Sequence, residues 1–442
     1  METASKRPTF AFVKIIGPGI LVAATGIGAG DLATGAFTGT TLGVAILWAV
    51  VIGAFLKYVL NEGLARWQLA TGETLLEGAV HRLGNVVPYV FLPYLLLWSV
   101  FVGSALMSAC GATMHAAVPI FAEAGTGKIV FGILHSLLGV ALVLIGGFKL
   151  FEKIMSVCIG VMFVVVIVTA SLICSDWGAV AQGLVVPTIP QFFGDGLNWT
   201  IALMGGVGGT LTVLCYGYWI REKGRQGEGD LKTCRMDLGV AYVATAIFGL
   251  AMVIIGSQID LPEDKGKGAK LIVILADKLS ETRLGSVGKW TFLIGAWGAV
   301  FSSLLGVWQA VPYIFADFCG LVKEKRAADG GSPSQPIDVD TRGWAYRGYL
   351  LGIAIVPMLG LFVDFTKVQK LYAIFGALFM PMLAVTLLLL NSKRKKWVEE
   401  RMSNRPFVSV VLALTVIVFV VYGYLKAQTG LGMIGGWLSA AL

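Results

Sequence analysis

The chain has 442 residues, 57% of them hydrophobic and 14% charged, with a mean hydropathy of +0.81 and a formal net charge of +8. Soluble globular domains carry about 25% charged residues, so this composition excludes a soluble enzyme or binding domain and places the chain in lipid. The positive charge does not mark a nucleic-acid binder, because Lys and Arg stand in short clusters between apolar runs, the arrangement that orients membrane proteins.

The first residues, METASKRPTF, are polar and basic, and the apolar stretch after them is interrupted by Gly17, Pro18 and Gly19. No cleavable signal peptide is expected. Apolar runs of about 20 residues follow at 13–41, 43–67, 88–117, 129–148, 151–174, 199–220, 237–257, 290–317, 346–363, 370–391 and 407–425. In lipid the backbone has to pair its polar groups internally, so these runs predict about eleven transmembrane helices. The fold class is an all-α integral membrane protein, with one transmembrane domain over 1–442. Residues 258–289 predict a short amphipathic helix on the outer surface, and 322–342 a flexible cytoplasmic loop. Basic clusters such as Lys6, Arg7 and Lys14, then Arg221 to Arg235, then Lys393 to Arg405, put the N-terminus in the cytoplasm and the C-terminus outside it. The six cysteines form no CxxC pair and read as small apolar packing residues.

Two runs are dense in glycine: TGIGAGD in the first, with Gly26, Gly28 and Gly30, and LMGGVGGTLT in the sixth, with Gly205, Gly206, Gly208 and Gly209. Glycine costs a helix interior about 1 kcal/mol relative to alanine, so both runs predict unwound stretches. Each opens a block of five spans. The blocks, about 13–174 and 199–391, read as two inverted repeats, with an extra helix at about 407–425. Interrupted helices at matching positions of two halves point to a substrate site near the membrane midplane. The bland alternative is that the glycines only let helices pack closely.

Asp31 is the one acid in the first run and lies beside its break. An ionisable group at membrane depth is a functional candidate by default, and Asp31 with freed carbonyls could hold a metal ion; it could equally cap the half-helix after it. Gly28, Ala29, Gly30, Gly208, Gly209 and Thr210 complete the expected substrate site. Thr25, Thr34, Thr212, Tyr216, Gln309 and Asp317 are expected to line it in second rank. Lys57 and Glu62 could face a cytoplasmic vestibule but read rather as a structural pair or as side chains reaching toward the surface; His115 and His135 could move protons but read rather as hydrogen-bonded packing residues.

The run GPGILVAATGIGAGDLATG resembles the first helix of the NRAMP family of divalent-metal transporters, which typically reads GPGFLVAVGYMDPGNWATD. The run ARWQLATGETLLEGA resembles the end of that family's second helix and the loop after it. The resemblance is strongest over residues 17–80. It implies a LeuT-type fold, alternating access, and a midplane site between helices one and six. The family's DPGN falls on Gly28, Ala29, Gly30 and Asp31, so its metal-binding aspartate is glycine here and its asparagine is aspartate. The family's helix-six methionine ligand is followed by Pro-His; here the region reads Gly208, Gly209, Thr210 and Leu211, with Met204 upstream. Residues 87–122 contain no Asp or Glu, so the family's proton-linked acids have no counterpart.

The sequence thus predicts a secondary transporter for a small cation, a divalent metal such as Mg2+ or Mn2+, without the family's proton coupling. Loss of a thioether moves preference toward hard ions, and magnesium needs only one or two carboxylates. The alternative is a small organic solute such as an amino acid or amine, its charges met by freed N–H groups and by Asp31. A receptor or scaffold of the same fold is the third reading. No Walker loop, HExxH or GxSxG motif is present, so no enzyme activity and no cofactor beyond a transported cation are expected. The expected partners are the solute and the lipid bilayer.

Overall fold

The computed structural model describes residues 17–258, 273–274, 276–277, 280–281, 285–327 and 339–441. Most of the expected outer helix within 258–289, much of the loop at 322–342, and Lys6, Arg7 and Lys14 lie outside these residues. The described residues form helices and turns, with no strand among them.

Helix α1 spans Pro18–Gly26 and opens on a proline, whose fixed φ suits the first turn. A π-type turn, Ala29–Thr34, leads into α2, Gly35–Leu42. Helix α3, Leu47–Thr71, ends at Gly72 in the left-handed conformation that helix ends favour. Helix α4, Leu75–Arg82, starts with a capping box in which Thr74 and Glu77 satisfy each other's backbone N–H. Helices α5, Val86–Ala117, α6, Ala124–Ile173, and α7, Trp177–Val185, follow, with α7 bent by 115° from the end of α6. The second interrupted crossing is α8, Leu197–Gly206, and α9, Cys215–Glu222. The chain continues through α10, Leu231–Ser257, α11, Gly285–Ala327, α12, Trp344–Ile355, α13, Phe365–Ala377, α14, Phe379–Leu390, and α15, Pro406–Ala441.

Nine helices among the described residues are long and apolar enough to cross a membrane, or ten if the bent pair counts as one more. The expectation from sequence is eleven. The difference lies where apolar runs join. Helix continues from Ala124 to Ile173 over the two runs expected at 129–148 and 151–174, of which Ala124–Ile145 is one of the nine crossings and Gly160–Ile173, with the bent α7, the further one. Asp31–Thr71 also counts as one 41-residue helix. At 1.5 Å per residue that stretch is about 60 Å long, roughly twice the hydrocarbon thickness. Gly43, at φ 67°, interrupts it between α2 and α3.

Helix α10 packs against α2 and α3, and α13 against α8 and α5. The α2–α10 contact is close because glycine leaves room: a Cβ on Gly39 would lie 2.2 Å from the Val253 carbonyl oxygen, and one on Gly256 would lie 2.3 Å from that of Ala36. Small residues drive association where both partners and lipid are equally apolar. Trp67, Trp98, Trp308 and Tyr216 are fully buried, while Leu97, Val164, Ile294, Phe362 and Val420 point outward. Apolar side chains on the outside are what a lipid solvent requires.

Candidate functional site

The first crossing unwinds after Gly26. Ile27 adopts φ −73° and ψ 81°, close to an inverse γ-turn. The Gly28 N–H donates to the Gly26 carbonyl at 2.9 Å in place of a helical acceptor. The second unwinds after Gly206. Gly208 and Gly209 have φ of 75° and 86°, values a side chain disfavours. Thr210 sits at φ −123°, ψ −109° before a short 3-10 turn, Leu211–Leu214, restores helix. The two breaks touch each other. A Cβ on Gly26 would fall 2.6 Å from both the Gly208 carbonyl carbon and the Gly209 nitrogen. Those are backbone atoms that cannot swing aside. Gly26→Ala is therefore expected to lower stability by about 1–3 kcal/mol, the cost of overpacking, seen as a lower melting temperature of the purified protein.

Asp31 lies inside the π-type turn and is fully buried. It caps no helix; its Oδ2 accepts the Gly208 N–H at 3.1 Å, so the carboxylate of the first break holds the backbone of the second. Its Oδ1 has no hydrogen-bond partner. Lys57 reaches the same junction from α3, with 1% of its surface exposed. Its ammonium donates to the carbonyls of Gly205 at 2.8 Å, Val207 at 3.1 Å and Gly209, and it interacts electrostatically with Asp31.

Around this core the polar side chains come from six helices, α1, α3, α5, α10, α11 and α13, and from the breaks themselves. Thr210 Oγ1 accepts the Trp98 indole N–H at 2.9 Å. Thr34 Oγ1 accepts from Gln369 Nε2 at 2.9 Å. Asn61 donates to the Tyr242 hydroxyl at 3.0 Å, and Tyr242 borders Gly208. The Thr25 carbonyl accepts the Ser303 hydroxyl at 2.6 Å, while Thr25 Oγ1 and Asn61 Oδ1 have no hydrogen-bond partner. Gly28 offers no space for an acid: a Cβ there would lie 2.2 Å from Ser303 Cβ. Ala29 and Gly30 form the start of the turn by their backbone. Thr212 is buried beside Gly209.

Three sequence-expected residues stand elsewhere. The Tyr216 hydroxyl donates to Asp237 Oδ2 at 3.1 Å. That carboxylate also accepts the Gly19 N–H at 3.0 Å and pairs with Arg225 at 2.9 Å, which ties the start of α1 to α10. Asp317 accepts the Tyr218 hydroxyl at 2.5 Å, and Tyr313 packs edge-on against Tyr218 at 5.1 Å. The Gln309 carbonyl accepts the Tyr346 hydroxyl at 3.3 Å. Lys57 and Glu62 are not a pair; Glu62 binds Arg66 and Arg235, each at 2.8 Å. His135 bridges the Phe131 carbonyl and the Trp297 indole, and His115 packs on Gly127. Sequence reading missed Lys57, Trp98, Asn61, Tyr242, Ser303 and Gln369 as neighbours of the breaks. The usable signal was Lys57 itself, a cation inside the apolar run AVVIGAFLKYVL. Among the described residues no group of three or more His, Cys, Asp or Glu could hold a metal ion.

Two helices interrupted face to face inside an apolar helical bundle, with a buried carboxylate between them, define a broken-helix membrane transporter fold. The comparisons agree. The structure superposes on the Eremococcus coleocola manganese transporter, solved in complex with an aromatic bis-isothiourea substituted compound, with a TM-score of 0.67 at 17% identity, covering 95% of this chain and 87% of that one. It also superposes on MhsT in complex with L-phenylalanine, with a TM-score of 0.56 at 15% identity over 91% and 98% of the two chains. At such identities the likeness speaks for the fold alone. Among curated proteins, the uncharacterized protein PM0681 of Pasteurella multocida is 23% identical over 287 residues, a match covering 62% of this chain and 63% of that protein. The chain belongs to the natural resistance-associated macrophage protein-like (Nramp) family, whose profile matches residues 19–427.

Proposed function

We propose that this chain is a secondary transporter that moves a small cation across the bilayer by alternating access, with the ion taken at the junction of the two breaks. The observation that carries the reading is Asp31: fully buried, fixed through one oxygen to Gly208, with its other oxygen without a hydrogen-bond partner. The oxygens around it belong to carboxylate, hydroxyl, amide and peptide groups, which suit a hard divalent ion such as Mg2+ or Mn2+. Family membership and the manganese transporter's fold support a metal as cargo. The acid-free stretch 87–122 supports transport without proton coupling, and the basic clusters of the sequence support a cytoplasmic N-terminus.

A second reading, transport of an amino acid or amine, draws on the Lys57 ammonium, which already holds three carbonyls that a metal would otherwise meet. Uptake into proteoliposomes separates the two. With an entrapped metal indicator, Mg2+ or Mn2+ entry is expected to saturate with concentration and to remain unchanged when a pH gradient is imposed. If neither ion enters while a radiolabelled amino acid or amine does, the second reading replaces the first. If entry follows the imposed pH gradient, the uncoupled mechanism is wrong.

A further inference from the structure

We propose that Lys57 is a tethered cation: its ammonium fills an oxygen cage at the break between α8 and α9 whose chemistry is that of a small monovalent cation site, so the chain works without a free ion there. The cage follows from the break. The last carbonyls of a helix have no acceptor role left within it and carry the negative end of its dipole. Here Gly205 and Val207 present such carbonyls at the end of α8, and the left-handed backbone at Gly208 and Gly209 turns a third, that of Gly209, toward the same point. Three carbonyls aimed at one point repel each other unless a positive charge sits among them.

The side chain from α3 meets that need group for group. An ammonium has three N–H donors and no acceptor, and all three carbonyls receive one: Gly205 at 2.8 Å, Val207 at 3.1 Å, and Gly209. No lipid-facing or aqueous escape is open to it, since Lys57 is 1% exposed. Nor is it the partner of the nearest acid on its own helix, since Glu62 is taken by Arg66 and Arg235. Among the described residues the opposite charge acting on it is Asp31, which binds the same break through Gly208. A cage and counter-charge of this kind would hold a free Na+, K+ or ammonium ion equally well; the chain supplies its own.

The proposal is tested by removing the tether and returning the ion. It concerns the cage alone, and its readout is stability, so it stands or falls apart from the identity of the transported solute. Purified wild type, Lys57→Ala and Lys57→Gln are melted in choline chloride, NaCl, KCl and methylammonium chloride at equal ionic strength. Lys57→Ala is expected to melt lower than wild type in choline and to regain about 2 °C or more in Na+, K+ or methylammonium. Wild type is expected not to distinguish the salts. Lys57→Gln, which keeps two donors and loses the charge, reports whether the fold survives the change. If Lys57→Ala and Lys57→Gln both fold and neither responds to any of the small cations relative to choline, Lys57 is a structural staple and the proposal fails. It fails too if wild type gains as much as Lys57→Ala, because the cage would then be open. If Lys57→Ala does not fold, a response confined to Lys57→Gln supports the cage, and its absence overturns it.

Discussion

Asp31→Asn is expected to reduce cation uptake roughly a hundredfold. The amide keeps the shape of the side chain and an oxygen for the Gly208 N–H, now 3.1 Å away. It removes the charge. An interaction with a charged group is worth about 1.5–3 kcal/mol, and every 1.4 kcal/mol is about tenfold in affinity. The loss has two sources. The proposed cargo ion loses its carboxylate, and the Lys57 ammonium is left buried within the helix bundle without its counter-charge. The measurement is initial uptake into proteoliposomes as a function of ion concentration, with protein incorporation matched. Asp31→Glu keeps the charge but lengthens a side chain that is fully buried. It is expected to retain more activity than Asp31→Asn.

The second large effect is on stability and sits at the other end of α1. Asp237→Ala is expected to destabilise the protein by about 3–5 kcal/mol, the usual cost of stripping one partner from a buried charge pair. Asp237 is fully buried. Its Oδ2 serves Arg225 at 2.9 Å, the Tyr216 hydroxyl at 3.1 Å and the Gly19 N–H at 3.0 Å. The last bond satisfies one of the orphan N–H groups at the start of α1, so the carboxylate also fixes the half-helix that leads into the first break. Alanine withdraws the acceptor from all three donors at once. Asp237→Asn retains an oxygen for Gly19 and Tyr216 and is expected to lose less. Thermal unfolding of both variants and wild type, scanned at one rate in one detergent, checks the order. Equal melting temperatures for all three would contradict it.

What the sequence discloses and what it hides divide along a physical line. Glycine density is a local property, so both breaks could be read from TGIGAGD and LMGGVGGTLT, and Asp31 stood out because charge is costly in lipid. Membrane crossings are equally local, since length and hydropathy decide them. Partners are not local. Lys57 lies 148 to 152 positions from the carbonyls it binds, and nothing in its own run says which face of α3 turns toward the second break. The same holds for Tyr216. Its place just after the glycine cluster suggested the site, but a helical turn and a half carries its hydroxyl to Asp237 instead. Thr210, six residues earlier and just before the 3-10 turn, stays at the junction and meets Trp98. Gly28 shows a different limit. Read alone it is a missing ligand; beside Ser303 it is a position with no room for one. The runs at 129–148 and 151–174 are joined, at Lys149 and Lys153, by continuing helix in α6.

On the proposed mechanism, the junction of the two breaks holds the solute and is exposed in turn to each side. Cysteine accessibility at Thr210 tests this most directly. In a background with the six native cysteines replaced, Thr210→Cys in reconstituted vesicles is treated with a membrane-impermeant thiol reagent from either side. The account predicts modification from both sides, slowed from each by saturating transported cation. A cysteine at position 210 that reacts from neither side, or whose modification is indifferent to the cation, would contradict it.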